Sequence, residues 1–371
     1  SWLSMDTSPD GSQPVMAYYD RELGALGFGI GTIDAEGDIS WYYERVDGYN
    51  DPSTGGDVGD IGKYATMKVA PDGTVWVASF NASNNSLRFA RRLNGSLGTE
   101  QPRQWVVGEI DGGPGVGQWA SLAIASDGLP IVSYHDEING DLKVARLTED
   151  PGLDPEATYS WSISTAYEGA PFVFTPAEDG AAEVVRDGDA GEHTRLLVDG
   201  STIYLAFHDK AEGSLRLAES TDDGVSWTIS RVAPAAPDGV RNVGAWPSLL
   251  VDGGDLVVSY HDVANQDLVV STRDPNGAWT TEVVDAGEFV GADSELIRRG
   301  GTLQVVYFDG QTNDMRFASK AGTTWTRETL GGEQSAVGFH NEVVQIDGTW
   351  YGASYDFGPR AVFWTALPTA N

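Results

Sequence analysis

Three of the five histidines stand in one four-residue setting: "SYHD" at 133–136 and 259–262, with "AFHD" between them at 206–209. An imidazole beside a carboxylate is a common pairing for proton transfer, and three matched imidazoles also invite a shared metal ion. A transition-metal site needs its nitrogens about 2.0–2.1 Å from one ion. His135, His208 and His261 fall at equivalent places in successive repeats, a separation too wide for that. Each is expected instead to bond a nearby loop carbonyl or carboxylate and cap its strand.

Two other sets have sharper chemistry. His193 and Arg195 open one strand and His208 closes the next, so antiparallel pairing is expected to bring them to a common rim. Such a trio can remove a proton beside a uronate carboxylate and neutralise the developing enediolate, with Tyr260 or Tyr134 as the acid. That is lyase chemistry. Asp293, Glu295 and Glu342 form the second set. Hydrolysis of a glycosidic bond needs two carboxyls about 5–5.5 or 6.5–9.5 Å apart. Acidic residues are abundant along the chain, so their spacing alone decides nothing.

What positions these residues is a repeat. Seven markers recur in the place of the fourth residue of "SYHD": Asp20, Asn81, Asp136, Asp209, Asp262, Asp309 and Asp356. Six residues after each stands Leu26, Leu87, Leu142, Leu215, Leu268, Met315 or Val362. Before each marker, two short β-branched segments flank a Gly or Asp-Gly turn, as in "SLLVDGGDLVVSYHD", which reads as a hairpin. A third strand starts at the apolar marker. A fourth carries Trp41, Trp105, Trp161, Trp227, Trp279 or Trp325. The unit is a four-stranded antiparallel sheet, and such sheets arranged around an axis make a β-propeller.

The expectation is an all-β, single-domain, seven-bladed propeller over residues 1–371. Its blades lie near 1–47, 62–111, 117–169, 192–232, 244–285, 291–330 and 338–371. The last blade lacks a tryptophan-bearing fourth strand: either it has three strands, or the fourth lies outside this sequence. The longest connections join outer strands to the next inner strands, and so gather on one upper face, where binding loops usually lie. Counting back along each inner strand gives an entrance ring of Trp2, Tyr64, Trp119, His193, Trp246, Asp293 and His340. A second layer follows: Ser4, Thr66, Ser121, Arg195, Ser248, Glu295 and Glu342. Aromatic planes beside hydroxyls and carboxylates suit a sugar. The alternative is that the tryptophans plug the tunnel.

"STDDGVSWT" at 220–228 resembles the Asp-box, the Ser-x-Asp-x-Gly-x-x-Trp signature of sialidase-like propellers, also called the BNR repeat. Ser220, Asp222, Gly224 and Trp227 match it, and "STRDPNGAWT" and "SKAGTTWT" look like degenerate copies. The resemblance implies the propeller fold, with the boxes joining strands three and four opposite the active face. It does not imply one activity, because the family includes sialidases, other glycosidases, lyases and non-catalytic modules. The arginine triad and the Phe-Arg-Ile-Pro-like segment of sialidases are not matched here.

The formal charge of −32 opposes binding to nucleic acid or an anionic membrane surface. There is no cysteine, which excludes thiol catalysis and disulfides. No apolar run reaches the roughly 20 residues of a membrane span. The chain opens inside its first unit, as expected if a leader lies upstream. Two glycine-rich acidic loops carry oxygen ligands of the kind calcium takes: Asp47, Asp51, Asp57 and Asp60 in one, Asp187 and Asp189 in the other. Calcium is therefore the one cofactor expected, and a solvated loop is the alternative. The leading expectation is an extracytoplasmic (secreted or cell-surface) monomer that binds a glycan or extracellular protein at its upper face without catalysis. A polysaccharide-active enzyme is the competing reading.

Overall fold

The structure is a computed structural model. It describes residues 2–48, 59–93, 105–152, 154, 156–170, 188–233, 242–331 and 336–369, with the backbone alone of four short strands elsewhere. Each marker ends the second strand of a sheet and accepts backbone N–H groups from the turn that follows. Asp136 takes Asn139, Asp262 takes Ala264 and Asn265, and Asn81 takes Ser83. Asparagine replaces aspartate without loss because either side-chain oxygen can close this turn.

Six sheets have four antiparallel strands in sequential order, and the seventh has three: Phe339–Ile346, Thr349–Asp356 and Ala361–Ala366. The inner strands of the first six blades are Leu3–Thr7, Ile61–Val69, Val116–Ile124, Ala190–Asp199, Val243–Asp252 and Val290–Arg299. Each lies beside the next, and the first lies beside the last, so the ring closes. Second strands are buried on both faces, as in Val75–Asn81 and Pro130–Asp136. Their continuous apolar character follows from sitting between two neighbouring blades. Each of the seven blade interfaces holds one apolar cluster, such as Val15, Phe28, Met67 and Val77 between blades one and two.

The apolar markers have a definite partner. A glycine early in the next inner strand lies against each of several of them. A Cβ on Gly62 would meet the Leu26 Cα at 2.9 Å, and one on Gly117 the Leu87 Cα at 2.9 Å. Closure between blades seven and one uses no shared strand. Tyr351 stacks on Trp364 at 4.6 Å, Trp364 meets Trp41 edge-on at 6.4 Å, and Met5, Met16, Val344 and Ile346 fill the interface.

Two small hairpins, Asn50–Asp51 with Gly56–Asp57 and Val173–Pro176 with Ala182–Val185, occupy connections expected to be loops. The second pairs two apolar segments, "VFTP" and "AEVV", which favours strand over coil. At 220–228 the Ser220 hydroxyl accepts the Gly224 N–H, and Asp222 accepts those of Ser226, between the third and fourth strands of blade four.

Candidate active site at the propeller axis

From blade two onward every inner strand breaks register where its collar residue stands, for example between Gln118 and Ser121 or Glu192 and Arg195. The residue at the break has a left-handed backbone: Tyr64 (φ 52°), Trp119 (56°), His193 (51°), Trp246 (49°), Asp293 (47°) and His340 (54°). Each non-glycine residue so placed costs about 1–2 kcal/mol, and bulges of this kind re-aim a side chain. Two residues earlier stands a glycine with φ between 100° and 116°: Gly62, Gly117, Gly191, Gly244, Gly291 and Gly338. The motif Gly-x-bulge thus recurs in six blades. Its effect is to turn one side chain per blade into the axis.

These side chains form a collar. Ring centroids are separated by 6.0 Å for His340–Trp2, 4.7 Å for Trp2–Tyr64 and 4.9 Å for Tyr64–Trp119. The spacing is 4.0 Å for Trp119–His193 and 4.4 Å for His193–Trp246. Asp293 completes the circuit by accepting the His340 N–H at 3.2 Å. The collar lines a cavity of about 170 Å³.

The layer beneath divides into two functions. Ser4, Thr66, Ser121 and Ser248 accept the N–H groups of Met67, Leu122, Leu196 and Leu296, each in the following blade. Their hydroxyls stitch neighbouring blades together. Thr194, Ser294 and Asn341 likewise donate to the carbonyls of Trp119, Trp246 and Asp293. The remaining positions are ionisable. Arg195 of blade four forms a salt bridge with Glu295 of blade six, and Ser248 donates to the same carboxylate at 3.4 Å. Glu295 and Glu342 line both the upper cavity and a second opening of 360 Å³ beneath it, so this layer is the floor of one and the roof of the other.

Desolvation sets the protonation states. Burial raises the Asp293 carboxyl to about 6, against the stabilising N–H of His340. Burial raises Glu342 further, to about 8, and the charge of Glu295 adds to the effect while Arg195 opposes it. Burial also works against charge on Arg195, but Glu295 and Glu342 outweigh it and hold the guanidinium charged. His193 lies well below the usual imidazole range through burial, with His208 and Lys210 contributing, and His340 falls to about 3. Burial therefore favours neutral imidazoles at His193 and His340 and holds a proton on Glu342 more tightly than on Asp293.

The lyase trio is only partly brought together. His193 faces the cavity, and Arg195 points into the floor. His208 stands behind His193, 6.4 Å between ring centroids, with its Nε2 on Asn242 Oδ1 of the next blade's entry. Tyr260 is not in the cavity: its hydroxyl meets Ser271 at 3.3 Å inside blade five. Tyr134 donates to Asp111 at 2.8 Å in the interface of blades two and three. Alternation along the second strand explains both, since tyrosine and the adjacent histidine point to opposite blade faces. His135 pairs with Asp189 at 3.1 Å, and His261 Nδ1 lies 2.8 Å from the Val290 carbonyl.

Among the calcium candidates, Asp187 lies outside the described residues, and of Asp51 and Asp57 the backbone alone is described. Asp47 bridges to Arg88 at 2.8 Å, and Asp60 binds Lys63 at 2.6 Å and the Tyr19 hydroxyl at 2.7 Å. With Asp189 on His135, each candidate whose side chain is described is engaged by a different protein partner. Among the described residues no group of three or more His, Asp or Glu is arranged to hold a metal ion. No helix among them is long and apolar enough to cross a membrane.

The signal missed in the sequence was the Gly-x-bulge motif, which marks the collar directly. No protein-family model matches the sequence, nor does any curated protein. Solved structures do. A polysaccharide lyase, Uly1, is 11% identical with a TM-score of 0.56, over 95% of this chain and 87% of that one. The Trypanosoma rangeli sialidase is 12% identical with a TM-score of 0.47, and the match spans 90% of this chain but only 56% of the sialidase. A fucose-specific lectin from Aleuria aurantia is 12% identical with a TM-score of 0.45, over 90% and 96% of the two chains. Likeness at this identity is likeness of fold. In fold, the chain is a seven-bladed β-propeller, and that architecture is what it shares with Uly1.

Proposed function

We propose that the protein is a polysaccharide-active enzyme that hydrolyses a glycosidic bond at the axial cavity. Glu342 is the proton donor, and Asp293 is the carboxylate that activates water or engages the sugar. The observation carrying this reading is that both carboxyls line one cavity, where burial raises each and raises Glu342 further than Asp293. Two carboxyls with separated affinities for the proton are the acid–base pairing of glycosidases. The aromatic collar supplies flat faces for a sugar ring, and the strained bulges hold those faces in place before any ligand arrives.

A lyase mechanism is less well served. It needs a cation free to neutralise a uronate carboxylate, and Arg195 is already paired with Glu295 and flanked by Glu342. Uly1 is a polysaccharide lyase on the same fold, which makes polysaccharides the first substrate class to test. We read the protein as a monomer acting outside the cytoplasm, where such polymers occur, in keeping with a chain that lacks cysteine.

The test is incubation with a panel of neutral and acidic polysaccharides, scoring new reducing ends and ultraviolet-absorbing unsaturated products. New reducing ends without ultraviolet absorbance, lost in Glu342→Gln and Asp293→Asn, are expected. Unsaturated products would replace this reading with the lyase one. Saturable binding without any product would leave the collar as a lectin-like site.

A further inference from the structure

Between blades one and seven, on the upper side, lies a groove of 780 Å³. It is several times larger than the axial cavity and adjoins it at Leu3, which lines both. The groove exists for two local reasons. Among the described residues blade seven has three strands, and they leave the outer part of the interface unfilled. The third strand of blade one, Ala25–Ile33, turns Gly27, Gly29 and Gly31 toward it, and neighbouring side chains lie flat in the space their Cβ atoms would take. A Cβ on Gly27 would sit 2.3 Å from the Tyr18 ring, and one on Gly29 would sit 2.8 Å from Met16.

The walls are aromatic. Tyr18 and Tyr43 meet edge-to-face at 5.9 Å on the blade-one side, and Tyr355 and Phe357 do so at 4.8 Å on the blade-seven side. Tyr43 is 53% exposed and Phe357 47%, so both present ring faces to solvent. At the mouth Arg360 bridges to Glu22 at 2.9 Å across the two blades. Arg21 and Asp20 complete the polar lining, so the charges of the groove balance. A groove with no net charge on a chain of −32 does not suit a polyanion. Aromatic faces with paired donors and acceptors at one end match a neutral polyhydroxylated chain.

We propose that this groove is an extended subsite for a neutral polysaccharide, carrying the chain radially outward from the sugar unit held in the axial cavity. The proposal rests on the glycan reading of that cavity for its direction, but the two separate experimentally. Tyr43 and Phe357 stack on successive sugar rings, and the Arg360–Glu22 pair takes up hydroxyl hydrogen bonds at the outer end.

Affinity electrophoresis through gels containing mixed-linkage β-glucan, xylan or galactomannan tests it, with alginate as the acidic comparison. The wild-type protein should be retarded by at least one neutral polymer. The Tyr43→Ala/Phe357→Ala double variant should lose affinity by about tenfold or more with an unchanged unfolding temperature. Equal retardation of the double variant, retardation by alginate alone, or none by any neutral polymer would overturn the subsite. If retardation follows this pattern while no polymer is cleaved, the hydrolase reading fails and the groove stands.

Discussion

Gly244 of blade five lies so close to Leu215 of blade four that a Cβ on the glycine would stand 2.5 Å from the leucine Cβ and 2.8 Å from its Cα. Leu215 is the apolar marker of its repeat, and Gly244 precedes the collar residue Trp246 by two positions. The contact thus joins the spacing that identifies the repeat to the bulge that aims the collar. Gly244 also has φ 104°, which a side chain resists. Gly244→Ala is expected to destabilise the protein by about 2–4 kcal/mol and to displace Trp246. Denaturant unfolding reads the first effect and tryptophan fluorescence the second. An alanine variant with wild-type stability would mean that the strand shifts freely at this interface.

The two carboxyls give a pH profile with a definite sign. Asp293, raised to about 6, acts when deprotonated, so activity rises as pH passes through about 6. Glu342, raised to about 8, acts when protonated, so activity falls as pH passes through about 8. A bell centred near pH 7 is expected in kcat/KM, and Glu342→Gln should lower the rate by about 10²–10⁴-fold. Folding stability follows the same linkage. A carboxyl that holds its proton more tightly when folded contributes stability below its ordinary value of 4.5 and loses it as pH rises through about 8. Glutamine mimics the protonated side chain. Glu342→Gln should therefore match the wild type near about pH 5 and exceed it in thermal stability near about pH 9.

Arg195 is the only cation paired with the carboxylates of the floor among the described salt bridges, through Glu295. Arg195→Met would leave Glu295 and Glu342 facing each other in a desolvated layer. Removing one partner of a largely buried pair costs about 2–4 kcal/mol, because the charge left behind has lost its compensation. The loss should be greatest at alkaline pH and shrink as acid protonates both carboxyls. Urea unfolding at several pH values checks this, and a pH-independent loss would point to packing instead.

Much of the architecture was legible because a propeller repeats one backbone geometry. The seven aspartate or asparagine turn anchors and the residues six beyond them keep their spacing, since each must close the same turn and meet the same neighbour. Counting from them located the collar. What the axis does with its second layer was not legible. Ser4, Ser121 and Ser248 look like sugar ligands in one dimension, but each hydroxyl accepts a backbone N–H from the next blade, a pairing between residues 48 to 75 positions apart. The position of His208 was hidden for a similar reason. Its direct partner across the strands is Glu192, and the bulge after that residue turns His193 to the axis while His208 stays behind it. Tyr260 has no route to the cavity because strand alternation fixes its face.

Closure depends on aromatic packing at one interface. Trp364 lies against Tyr351 at 4.6 Å and Trp41 at 6.4 Å, in the one blade whose described sheet has three strands where the other six have four. Large-to-small changes of such side chains cost about 3–5 kcal/mol when fully buried, and Trp364 is half-buried, so Trp364→Ala should cost about 2–3 kcal/mol. The loss is local in origin: the outer strand of blade seven, Ala361–Ala366, pairs on one side only. Its release would expose the groove floor at Met16 and Tyr18 and separate Leu3 from Val344. Limited proteolysis should therefore cut the variant first within the last blade, before the rest of the ring yields. Cleavage beginning in another blade, with blade seven still protected, would show that closure rests on the inner strands alone.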